Sequence, residues 1–81
     1  MISCHLHDFI EIACMYRYRV RLTLRDGSTL SGIAQDTAVE SNQREVLKLE
    51  TANGMVKIDQ DDLESMQAVD SNPHFSSVDF R

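Results

Sequence analysis

The chain has 81 residues, 42% of them hydrophobic, and a formal net charge of -5. That length suffices for one small core and excludes a second catalytic lobe, while the composition excludes wholesale disorder. No apolar run approaches the roughly 20 residues that cross a bilayer, and no basic stretch followed by a hydrophobic block opens the chain.

These features predict a soluble, cytoplasmic protein with a single domain over 1–81. Two cysteines, Cys4 and Cys14, are too few for a disulfide scaffold. Generic binding to phosphate backbones relies on Lys and Arg displacing counterions, so the negative charge argues against direct nucleic-acid binding and favours a cationic partner. The acids cluster as well. Asp36, Glu40, Glu45, Glu50, Asp59, Asp61, Asp62, Glu64 and Asp70 face only Arg44, Lys48 and Lys57 between residues 36 and 70.

In chain order, the first element is an amphipathic helix over about 6–16, since Leu6, Phe9, Ala13 and Tyr16 recur at three and four residues. Asp8, Glu11 and Met15 share its other side. "YRVRLTLR", Tyr18 to Arg25, changes the period to two, with Val20, Leu22 and Leu24 on one face and Arg19, Arg21 and Thr23 on the other. Asp26-Gly27 then predicts a tight hairpin turn. The next strand runs through "TLSGIAQD", where Gly32 suggests a bulge or bend.

Polar "ESNQR", Glu40 to Arg44, reads as a loop, and "EVLKLE" resumes alternation with Leu47 and Leu49 inward. Ala52-Asn53-Gly54 makes a turn into "MVKID", and "LESMQAV", Leu63 to Val69, supplies another strand. The tail over 71–81, with the single proline Pro73, reads as an edge strand or a mobile end. The fold class is therefore mainly β with one N-terminal helix: a small, strongly bent antiparallel barrel or sheet over about 17–70, capped by that helix.

Several side-chain groupings carry chemistry in principle. Asp8 and Glu11 form D-x-x-E, close to a capping box that starts a helix, and a carboxylate fixing a helix end can still offer an oxygen to a partner's Arg or Lys. Cys4, His5, His7 and Cys14 supply zinc-type ligands, but adjacent Cys4 and His5 rarely bind one ion and no second close pair follows. No metal or cofactor is expected, and the thiols read as small core residues. Arg17, Arg19 and Arg21 recur at period two. They could meet phosphate, although neighbouring acidic strands favour cross-strand ion pairs. No glycine-rich phosphate loop, Ser/His/Asp set or H-E-x-x-H motif occurs, so an enzyme is not expected.

The order of helix, strand, D-G turn, "TLSGIAQD" and "VLKLE" resembles an Sm-like barrel, although the second Sm motif is not recognisable. More specifically, Ile2 to Cys4, "HDFIEIAC", "LTLRDGSTLSGIAQD" and "EVLKLE" together resemble the Rho-binding antiterminator family, Rof, over nearly the whole chain. That resemblance implies an Sm-like barrel with an N-terminal helix that binds the bacterial termination factor Rho and inhibits it. It further implies that Asp8 and Glu11 contact Rho, with His7 beside them, and that the loop between the middle strands adds Asn42, Arg44 and Glu45. Two departures stand out. The chain begins just before Cys4 where relatives can carry extra residues, and Val46 stands where many members have an aromatic residue. An acidic monomer occupying Rho's cationic primary RNA-binding site would block RNA loading without chemistry. The alternative is an Sm-like RNA-binding protein acting in RNA regulation.

Overall fold

The computed structural model describes residues 4–80, the side chain of Cys4 excepted. Helix α1 spans Cys4–Met15 and is followed by β1 (Arg19–Leu24), β2 (Thr29–Val39), β3 (Glu45–Thr51) and β4 (Gly54–Asp59). A single 3-10 turn, Gln60–Asp62, leads into β5 (Leu63–Ala68), and β6 (Ser77–Asp79) closes the order. All pairings are antiparallel, in the spatial order β4-β3-β2-β1-β5-β6.

The bent sheet is open. Its edges are β4 and β6, and no ladder joins them among the described residues, so the expected barrel is corrected to an unclosed six-stranded sheet under one helix. Strand β6 is the edge strand that the tail offered as one of two readings. Asn72 makes it possible: its side-chain oxygen accepts the His74 and Phe75 N–H groups at 2.8 and 3.0 Å. The chain turns there, and Phe75, Val78 and Phe80 enter the core.

Period-two patterning places Val20 and Leu22 of β1, Leu47 and Leu49 of β3 and Met66 of β5 in that core. Ile10 and Ala13 of α1 are fully buried over them. Ala34 of β2 is also fully buried, and the small pair Ala13 and Ala34 suits a helix that packs chiefly on β2.

The tight turns follow their residues. Gly27 has φ 88°, and Asp26 accepts hydrogen bonds from both the backbone N–H and the hydroxyl of Ser28. Gly32, in contrast, is not where β2 bulges. The register against β3 slips between Ala34 and Asp36, so Gln35 is the extra residue. Gly32 is there for proximity: a Cβ would lie 2.9 Å from the Leu49 side chain and would overlap the Glu50 carbonyl.

Candidate functional site

Helix α1 begins at Cys4 and has no acidic residue in its first turn, so Asp8 and Glu11 do not form its cap. Asp8 lies in the second turn, exposed, and Glu11 follows three residues later on an adjacent part of the surface. The capping reading is thereby corrected: the chain is already helical at Cys4, five residues before the Phe9 start that a cap at Asp8 requires, and both carboxylates are free of that structural duty.

The helix flank that meets β2 carries His7, Glu11 and Cys14. On the sheet, Glu45 is in phase with Leu47 and Leu49 and sits opposite Val39, so it points to the helix side of β3 at the strand's first residue. The result is a convergence across distant chain segments. His7 Nε2 lies 3.6 Å from Glu11 Oε1 and 3.4 Å from Glu45 Oε2. The two carboxylate side chains are 57% and 55% exposed.

A groove of about 420 Å³ opens at this junction, lined by His7, Glu11, Thr37, Ala38, Val39, Glu45 and Gln60. Val39, 69% exposed, forms an apolar rim. Gln60, only 3% exposed, lies beneath it, where its Nε2 donates to the Val46 carbonyl at 3.3 Å while its Oε1 is buried with no partner among the described residues. A second, smaller hollow of about 220 Å³ continues along the helix between Glu11, Cys14 and Met15 and the β2 residues Gln35, Asp36 and Thr37.

The remaining loop residues are placed differently. Asn42 accepts the Arg44 N–H at 3.1 Å and shapes the turn, in which Gln43 has φ 64°. Arg44 is turned toward β4, where its guanidinium pairs with Asp59. The Asp59 carboxyl is held below its usual range, first by the Asp61 N–H and then by Arg44. Of the six residues considered, the structure brings His7, Glu11 and Glu45 together; Asp8 sits beside them on the helix, and Asn42 and Arg44 organise the neighbouring loop.

The arginine stripe is also resolved. Arg19 lies opposite Ile33, and Arg21 lies opposite Ser31 and Gln67, so the expected cross-strand ion pairs do not form among the described residues. The strand register, which alternation alone leaves open, sets neutral residues across from both. Arg17 lies outside the strand at φ 53° and donates to Gln35, which in turn donates to Glu50.

A family model for modulators of Rho-dependent transcription termination, ROF, matches residues 1–80. The chain belongs to the ROF family. The solved structure of YaeO bound to magnesium, from Vibrio cholerae O395, is 35% identical, covers 91% of this chain and 96% of its own, and superposes with a TM-score of 0.87. A search of curated proteins finds no match.

Within this ROF chain, Thr37, Ala38, Val39 and Gln60 were not legible as site residues. Gln60 stands among acids in "DQDD", a pattern that reads as solvated, and the Gln35 bulge changes which β2 residues face the helix. Glu45 carried a usable signal, because its phase with Leu47 and Leu49 directs it inward. The zinc-type reading falls partly on Cys4, whose side chain lies outside the described residues. Cys14 is half-buried, and burial, followed by repulsion from Asp36 and Glu11, raises its thiol to about 11. At pH 8 only about one thiol in a thousand is then ionised. Iodoacetamide should label Cys14 far more slowly than an exposed cysteine peptide, with the rate still rising between pH 9 and 10 by about tenfold, as read by peptide mass spectrometry.

Proposed function

We propose that this chain is a non-enzymatic inhibitor of Rho-dependent termination that binds Rho through the acidic face of α1 and the start of β3 and blocks Rho's primary RNA-binding site. The observation that carries the reading is the convergence of Glu11 and Glu45 on one open groove, with Asp8 alongside. Family membership supports Rho as the partner. A surface that holds RNA must be cationic, and carboxylates on two elements offer such a surface a preformed negative patch. Occupancy alone then prevents RNA from loading. A monomer acting in the cytoplasm, where transcription takes place, suffices.

The test is a titration into purified Rho bound to a fluorescent pyrimidine-rich oligonucleotide, followed by anisotropy. Displacement that weakens as salt rises is the expected result. Undiminished anisotropy at saturating protein would sink the proposal. Arg44→Ala, which removes an exposed ion pair, should leave the melting temperature nearly unchanged, so its effect on displacement reads the loop's contribution directly.

A second reading, direct RNA binding, is favoured by one feature. Arg19 and Arg21 project from β1 with no ion-pair partner among the described residues, close in sequence to Tyr16, which is 53% exposed and whose ring stacks on Tyr18 and His74. In the same titration, oligonucleotide transferring to this chain instead of being released would move the conclusion there.

A further inference from the structure

The acidic groove has a feature that simple charge attraction does not need. Gln60 is almost fully buried, and its Nε2 is committed to the Val46 carbonyl, which fixes the amide so that Oε1 remains the acceptor. That oxygen has no partner among the described residues, and a buried acceptor left unmatched is destabilising. Gln60 lines the same groove as two carboxylates from separate elements, with this oxygen just beneath the surface. Three acceptors therefore surround one cavity, and the His7 Nε2 that lies between the carboxylates sits at 3.4 and 3.6 Å, longer than a well-formed charged hydrogen bond.

The shape of the acceptor set discriminates between cations. A lysine ammonium is a compact point charge with three donors, whereas a guanidinium is planar, carries five N–H donors in a fork and is more weakly hydrated. Acceptors spread around a groove about 420 Å³ in volume, with one of them buried at the base, suit the planar group. The rim suits its stem: the exposed Val39, on the same face of the sheet as its cross-strand partner Glu45, presents an apolar wall for the methylenes of an arginine.

We propose that this groove is a receptor for a single arginine side chain of the protein partner. The guanidinium bridges Glu11 and Glu45, and its inner N–H satisfies Gln60 Oε1. The His7 ring, whose polar contacts to the two half-exposed carboxylates are long, gives way to open the path to that oxygen. This rests on the Rho reading for the identity of the partner but not for the chemistry of the groove.

The test uses the isotope-labelled full chain and two probes, N-acetyl-arginine amide and N-acetyl-lysine amide, followed by nuclear magnetic resonance. Arginine should shift the Gln60 side-chain amide and the backbone signals of Glu11 and Glu45, with an affinity roughly fivefold or more above that for lysine. Gln60→Met should erase that preference. Because this variant also breaks the bond to Val46, Glu45→Gln serves as a second, surface change and should lower arginine affinity by about tenfold. Equal affinities for the two probes, or shifts that avoid the groove, would overturn the assignment even if the chain displaces RNA from Rho. Selective arginine binding in a chain that fails to displace RNA would leave the groove assignment standing and remove the Rho reading.

Discussion

Asp8→Lys together with Glu11→Lys is expected to weaken binding to Rho by roughly 100-fold, the scale on which like charges facing each other across an interface operate. Both residues are exposed, and α1 begins at Cys4, so neither carboxylate caps the helix. Circular dichroism and the melting curve should therefore stay close to wild type. This separation gives the experiment its force, because a folded variant that no longer displaces RNA from Rho assigns the contact to the helix face. Glu11→Lys with Glu45→Lys should cost at least as much, since it reverses both carboxylates beside His7. Raising salt should shrink the difference between variant and wild type as the Debye length contracts. Retention of full affinity by both double variants would remove the acidic face from the mechanism.

Gly32→Ala is the largest stability effect expected from one added methyl group. The new Cβ would meet the Leu49 side chain at 2.9 Å and the Glu50 carbonyl carbon at 3.0 Å, and the second obstacle is backbone. Strands β2 and β3 must then separate near Ile33 and Glu50, where they are paired. A cost of about 3 kcal/mol is expected, lowering the melting temperature by roughly 15 °C. Gly27→Ala is the control, since its Cβ would meet nothing and only the left-handed backbone at φ 88° resists it. That strain amounts to about 1 kcal/mol. Equal losses at the two positions would show that packing between β2 and β3 is not what excludes a side chain from Gly32.

Much of the fold was legible because its signals are local. Alternation of Val20 and Leu22 with Arg19 and Arg21 identified β1, and Asp26-Gly27 identified its turn. Leu47 and Leu49 identified the inward face of β3 in the same way. The bulge was misplaced because Gly32 and Gln35 both lie in one apolar-polar run, and which of them lacks a partner is decided by the neighbouring strand. The helix start differs from its local signal for a related reason: Asp8 and Glu11 have capping spacing, but burial of Ile10 and Ala13 stabilises a helix that is already formed at Cys4. Closure of the sheet is likewise a property of its two edges, which no single strand encodes.

The acidic balance, the helix-then-strands order and the absence of a recognisable catalytic motif can be read without coordinates, because each is a matter of composition or of neighbours along the chain. The tertiary structure decided which charges act together. It directed Arg44 to Asp59, left Arg19 and Arg21 beside neutral residues, and set Glu45 across His7 from Glu11. It also buried Gln60 next to the exposed Asp61 and Asp62. Strand register and helix packing make those choices, since a shift of one residue sends every side chain of a strand to the opposite face.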